Sequence, residues 1–171
     1  MKKILFLCIF TGILLTSCKK DEIGNTATVK IAGEWVVTAD VVDANGSLIE
    51  EDFFGVGEFF LMTYNTAKNV PTEFFVDDQE NFWEFKIIVN LDYENATFSS
   101  NDYVDNYYYD SQVKVTKGKV SFGTAKTPSG MPADSFEFEV WFDDDPYAAR
   151  YGYDHFRIHG YRYTGFEADE P

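Results

Sequence analysis

Cysteine is almost missing from this 171-residue chain: Cys8 and Cys18 are the only two. Both sit near the N-terminus, so the body of the chain has no disulfide to form and its stability must come from packing. A thiol mechanism is excluded there as well. Histidine is just as scarce, with only His155 and His159, so any Ser-His-Asp arrangement must use one of them. There is no Gly-x-Ser-x-Gly elbow, and Ser129, in Pro128-Ser129-Gly130, is a turn former. On a strand the two histidines would share a face about 13 Å apart, too far to hold one small ion. Asp143-Asp144-Asp145 and Asp102…Asp105 lack EF-hand spacing and read as solvated acidic turns. Glu137 and Glu139 lie about 7 Å apart on one face, but they alternate with phenylalanines and so point to solvent, not into a cleft. The expectation is no catalytic residue, no metal and no cofactor.

Positive charge is also short, with 14 Lys and Arg against 29 Asp and Glu, for a net charge of −15. That argues against a nucleic-acid partner and against lying flat on anionic lipid. Helical periodicity is absent beyond the first seventeen residues.

Those seventeen read as a secretory signal: Lys2 and Lys3, then an apolar run from Ile4 to Leu15 broken only by Thr11. About a dozen residues are too few to span a bilayer. Leu15-Thr16-Ser17-Cys18 matches the bacterial lipobox, in which cleavage before the cysteine leaves Cys18 to be lipidated; several acyl chains make a stable anchor. Cleavage removes two lysines and leaves a net charge of −17 over 154 residues, long enough for one domain. Lys20-Asp21-Glu22, just after Cys18, resembles the surface-export signal of Bacteroidetes lipoproteins. The organisation expected is a signal peptide over 1–17, a lipidated tether over 18–29 and one domain over 30–171. The location expected is the outer membrane, lipid-anchored and surface-exposed, with the periplasmic face as the alternative.

What the body does contain is alternation of period 2, the mark of strands with one buried face. Trp35, Val37, Ala39 and Val41 form one apolar row. Further runs cover Glu58 to Tyr64, Glu73 to Val76, Tyr93 to Ser99 and Lys119 to Gly123. The clearest is Phe82 to Leu91, with Trp83, Phe85, Ile87, Val89 and Leu91 on one side. Tyr107 to Thr116 alternates, with Tyr107 and Tyr109 in the inward row, and Lys117-Gly118 reads as a turn. In Ser135 to Phe142 the row Phe136, Phe138, Val140 and Phe142 faces inward. Tyr151 to Phe166 alternates as the last strand. Eight or nine strands with frequent turns make an all-β, antiparallel barrel, or a barrel-like sandwich. Of its 31 aromatic residues, 29 lie after residue 17.

Gly33-Glu34-Trp35 entering the first strand, met by Arg162 from the last, resembles the calycin (lipocalin-like) barrels. The resemblance implies that Trp35 plugs one end and that the cation covers its ring, worth roughly 0.5–2 kcal/mol. If first and last strands pair, no sheet edge stays exposed. A closer resemblance rests on Thr63-Tyr64-Asn65-Thr66-Ala67, Asn81-Phe82-Trp83-Glu84-Phe85-Lys86, Thr127 to Ser135 and Gly160 to Phe166. These segments are similar to the Bacteroidetes lipoprotein family described as lipid-binding putative hydrolase. It implies a calycin-like barrel and binding of a small lipid or other hydrophobic ligand; no catalytic residue is carried over, so an enzyme is the less favoured reading.

A ligand would meet the inward rows, with Trp35, Trp83, Phe85, Tyr109, Phe136, Phe138 and Arg162 as the candidates; a small barrel can equally be filled by its own side chains. All three arginines and both histidines fall in the last 22 residues. His155, Arg157, His159 and Tyr161 share the outward row, a candidate surface contact. The second reading is an envelope module that binds glycan or protein through exposed aromatics such as Tyr108 and Trp141. A lipid or ester hydrolase is the third.

Overall fold

The computed structural model describes residues 24–171. The expected signal peptide and lipobox, Cys18 and the start of the expected tether lie outside the described residues. Ten strands follow: β1 (Gly33–Val42), β2 (Leu48–Glu50), β3 (Phe59–Asn65), β4 (Glu73–Asp77), β5 (Lys86–Asp92), β6 (Thr97–Ser99), β7 (Val104–Asp105), β8 (Gln112–Lys126), β9 (Pro132–Phe142) and β10 (His155–Arg162). A one-turn helix, α1 (Ala148–Tyr151), precedes β10, and a 3-10 turn (Glu167–Asp169) follows it.

The sheet closes on itself. Its order is β10-β9-β8-β6-β5-β4-β3-β1, with β10 returning to β1 and the short β2 and β7 attached outside the ring. All pairings are antiparallel, and the seam runs from Trp35 opposite Arg162 to Val42 opposite His155. This is the barrel expected from the alternation, not the sandwich. Gly160 fits the seam because β10 crosses β1 so closely there that a Cβ would lie 1.9 Å from the carbonyl oxygen of Val36.

Several segments differ from the sequence expectation; Tyr93 to Ala96, expected in a strand, form a turn before the short β6. Phe82 to Phe85 turn before β5 begins, because Asp78 gathers their backbone N–H groups into a loop. Tyr107 to Tyr109 are exposed loop residues. The phenol of Tyr108 donates to Asp77 and that of Tyr109 to the Trp83 carbonyl, so polar anchoring overrides the alternation. Lys117-Gly118 is a bulge inside the continuous strand β8, with Lys117 at φ 53° and the register to β9 slipping between Thr116 and Lys119. Gly118 leaves room there for the Phe98 ring.

The strands fix two different ends. At the closed end the turn over Thr28 to Ala32 packs Ile31 into the barrel, fully buried. Trp35 lies just inside it. The Arg162 guanidinium lies 4.2 Å from the Trp35 ring centroid. It also donates to the carbonyls of Ala32 (2.8 Å) and Lys30 (3.0 Å) and to Asp134 (2.9 Å). Gly33 is required for this: a Cβ there would stand 2.1 Å from the Arg162 Nη1 atom. The closure that the calycin resemblance implies is therefore present. The opposite end, the mouth, is built from the loops over residues 43–58, 78–85, 100–111 and 143–154.

The chain's last turn is held by one carboxylate. Asp169, fully buried, accepts from the Ser129 backbone N–H (2.9 Å) and the Thr164 hydroxyl (2.6 Å). Burial pushes its carboxyl up, but the hydrogen bonds from Thr164 and Ser129 outweigh this and hold it at about 2. The folded value lies below the unfolded one, so the stabilisation is present above about pH 4 and is lost as pH falls toward 2. The protection factor of the Ser129 amide is expected to fall over that window, and Asp169→Asn to remove this pH dependence.

Candidate functional site: the aromatic mouth

A continuous column of rings fills the barrel between its two ends. Trp35 stacks on Phe136 at 4.7 Å, Phe136 on Phe98 at 5.4 Å, and Phe98 meets Phe74 edge-on at 5.2 Å. Nearer the mouth, Phe138 meets Phe85 (6.5 Å), Phe85 meets Phe142 (5.4 Å) and Phe142 stacks on Trp83 (4.9 Å). Aromatic pairs at these separations each add about 0.5–1.5 kcal/mol beyond the area they bury. Phe85, Phe136 and Phe138 thus face inward as expected but contact one another, and Trp35 and Arg162 are engaged at the closed end. The named interior residues form packing, and the rings continue up to the mouth.

There the floor is Phe82, Phe142 and Phe156, within 5.2–6.4 Å of one another. Over it lies the loop between β2 and β3, carrying Phe53 and Phe54. Phe54 is 37 % exposed and its ring reaches Phe156 (5.9 Å), Trp83 (6.0 Å) and Tyr147 (5.5 Å). Phe53 packs on Tyr151 (5.3 Å) and Tyr153 (5.7 Å). The loop is folded back on itself: Asp52, at φ 42°, accepts from the backbone of Val56 (2.9 Å) and Gly57 (3.1 Å). Its backbone makes no strand pairing between residues 51 and 58; the Asp52 N–H reaches Asp40 of β1 (3.3 Å), and the rings supply the rest of its contact with the mouth. Of the residues named from sequence, Trp83 belongs to this mouth and Tyr109 stands beside it.

Carboxylates surround the rings. The four mouth loops carry fifteen Asp and Glu and one cation, Arg150. Asp144 accepts from the Trp83 indole N–H (3.0 Å). Asp145 accepts from the Tyr147 backbone and from the Tyr153 phenol (2.9 Å), whose own pKa is pushed far up by burial and by that bond. The expected solvated acidic turn is thus partly a set of acceptors for aromatic donors.

The outward row of β10 is placed as expected, on the outer face, but half of it is covered. His155 is 2 % exposed. It lies between Asp154 (2.8 Å) and Glu139 (3.3 Å) with its ring on Trp141 at 3.9 Å. Glu139, expected in solvent, is buried under His155 and Lys117. Asp40, likewise outward and buried, pairs with Arg157 (3.3 Å) and His159 (2.9 Å). A shallow cleft of about 330 Å³ opens beside Arg157 and His159. His159 uses the same nitrogen toward Thr38 and Asp40, so no carboxylate orients it from the other side as a hydrolytic relay requires. Ser129 contacts Thr127 and Asp169 and no histidine. No cluster of three metal-ligating side chains forms among the described residues. Tyr161 is buried, and its hydroxyl has no hydrogen-bond partner among the described residues. Burial, with Glu58 and Asp169 nearby, pushes that phenol up to about 12. Tyr161→Phe is therefore expected to be neutral or to stabilise by up to about 1 kcal/mol in urea unfolding.

The sequence from residue 20 to 167 matches the family model described as lipid-binding putative hydrolase. The chain belongs to that family. No curated protein matches it. Within this lipid-binding family the structure supplies a closed barrel with a packed interior and an aromatic mouth. Phe53, Phe54 and Tyr147 escaped the sequence reading because they lie in loops without alternation. The signal that could have found them is Phe53-Phe54 beside the acidic run Glu50 to Asp52, large aromatics where a turn ordinarily has none.

Proposed function

We propose that this protein is a lipid-anchored envelope protein that holds the apolar tail of a small lipid at the mouth of its barrel. The observation that carries the reading is Phe54. It is a part-exposed ring seated on Trp83 and Phe156 and carried by an unpaired loop, so it occupies the place an acyl chain would take. Displacing it costs ring contacts that a hydrocarbon tail replaces at about 0.8 kcal/mol per buried methylene. The packed interior favours a shallow tail site over a deep one. The lipobox ending at Cys18 and the Lys-Asp-Glu segment after it support an outer-membrane, surface-facing anchor, with the periplasmic leaflet as the alternative.

Native mass spectrometry after mild extraction tests the ligand: a co-purified lipid is expected in the wild type and lost in Phe54→Asp. Retention of the same lipid by that variant overturns the mouth as its site. Cys18→Ser is expected to release the protein from membranes, and protease shaving of intact cells separates the two leaflets. The interaction-module reading is less favoured, because Tyr108 and Trp141 spend their polar atoms on Asp77 and Asp154. The hydrolase reading predicts that His155→Ala and His159→Ala reduce turnover of ester substrates.

A further inference from the structure

Resting on the mouth as the lipid site, we propose that its ligand is a cationic amphiphile. An ammonium head would sit against Trp83 and Tyr147, with Asp144 and Asp145 as its counter-charges. Phe54, Trp83 and Tyr147 contact one another pairwise at 5.5–6.4 Å, so a head that displaces Phe54 lies beside both remaining rings at once. Aromatic faces attract cations and desolvated quaternary ammonium groups most of all. The two carboxylates are placed by those same rings: Asp144 by the Trp83 indole, Asp145 by the Tyr147 backbone N–H (2.8 Å). Both of these donors are neutral, and neither carboxylate has a salt-bridge partner among the described residues.

An anionic head finds the opposite. Apart from the buried Asp78 the mouth loops carry fourteen carboxylates, and their single cation, Arg150, lies over the Tyr151 ring at 5.3 Å. Of the nearby cations, Lys86 pairs with Asp77 and Lys114 lies over the Trp141 ring on the outer face, and Arg162 is engaged at the far end of the barrel. Arg157 is paired with Asp40 on the outer face. A fatty acid whose tail fits the mouth would therefore bring its charge into like charge.

Three probes of equal tail length, used below their micelle concentrations, separate head from tail: dodecyltrimethylammonium, dodecanol and dodecanoate, titrated against Trp fluorescence of the purified full-length protein. The cation is expected to bind at least about tenfold tighter than dodecanoate. Asp144→Asn/Asp145→Asn, which keeps an acceptor oxygen at each position, is expected to remove most of that advantage. Glu94→Gln/Glu137→Gln changes the net charge equally on exposed positions away from the mouth and is expected to leave it in place. Equal affinity for cation and anion, or an equal loss in both double variants, overturns the head-group assignment. Dodecanol separates this from the reading beneath it. If dodecanol binds and Phe54→Asp weakens it while the cation has no advantage, only the head-group assignment fails. If dodecanol does not bind, or Phe54→Asp leaves it unchanged, the mouth itself fails as the tail site. Thermal midpoints of each variant show whether the fold is kept.

Discussion

Trp35→Ala is expected to lose about 3–5 kcal/mol, the range for removing a large buried aromatic and leaving its cavity. Trp35 is fully buried and takes part in three separate contacts. Its ring stacks on Phe136 and so begins the aromatic column. Its indole N–H donates to the Thr63 hydroxyl (2.9 Å), which in turn donates to the Ile31 carbonyl (2.7 Å) and so ties the closing turn to β3. Its outer face lies beneath Arg162. Alanine removes all three, leaving a void under the guanidinium and the Thr63 hydroxyl without its donor. Against a typical total of 5–15 kcal/mol, that is a large share of the stability. Urea unfolding followed by far-UV circular dichroism measures it. Trp35→Phe is expected to fall between, keeping the stack on Phe136 but not the hydrogen bond. A loss below about 1 kcal/mol for Trp35→Ala would mean that the closed end is not where the barrel is locked. Because Trp35 is at the end opposite the mouth, the folded fraction of the variant is expected to keep wild-type affinity for an apolar probe.

This closed end was legible in the sequence because it is written in strands. Trp35 and Arg162 lie in rows whose period of two assigns them to the inside, and a closed sheet brings first and last strands together. The same rule placed Phe85, Phe136, Phe138 and the outward row of β10 on their correct faces. It cannot say what covers an outward residue. Glu139 was legible as outward, and Asp40, in the row that alternates with Trp35, Val37 and Ala39, lies outward too; both are nevertheless buried, because Arg157, His159, His155 and Lys117 fold over them from neighbouring strands. It also fails in loops, where hydrogen bonds to side chains decide the backbone path. Tyr107 to Tyr109 alternate like a strand but follow Asp77 and the Trp83 carbonyl, and Trp83 itself belongs to a loop wound around Asp78. The mouth is made almost wholly of such loops, so the residues that would meet a ligand were the least visible.

The loop that presents Phe82 and Trp83 depends on one carboxylate, and Asp78→Ala is expected to cost about 3–5 kcal/mol, comparable to the loss of Trp35. Asp78 is fully buried. One of its oxygens accepts from the N–H groups of Glu80 (3.0 Å) and Phe85 (2.9 Å), and the other from those of Phe82 (3.2 Å) and Trp83 (2.8 Å). Alanine strands four donors in a part-buried loop, and each unsatisfied buried group costs about 1–3 kcal/mol until the loop opens to water. Asp78→Asn is expected to lie between wild type and alanine, since the amide replaces one acceptor oxygen with a donor facing two N–H groups. Burial pushes the Asp78 carboxyl up and the four N–H groups only partly offset it, so its pKa is raised. The folded state thus takes up this proton before the unfolded chain does, and the Asp78 contribution grows as pH falls, opposite in sign to that of Asp169. Acidification is therefore expected to loosen the C-terminal turn while the 78–85 loop stays protected in amide exchange. The functional consequence is sharper than the energetic one. With the loop open, Trp83 no longer stacks on Phe142 or supports Phe54, so Asp78→Ala is expected to abolish binding of an apolar probe at temperatures where the barrel remains folded. Retained probe binding in a folded Asp78→Ala protein would show that the tail site lies below these rings, inside the column, and not at the mouth.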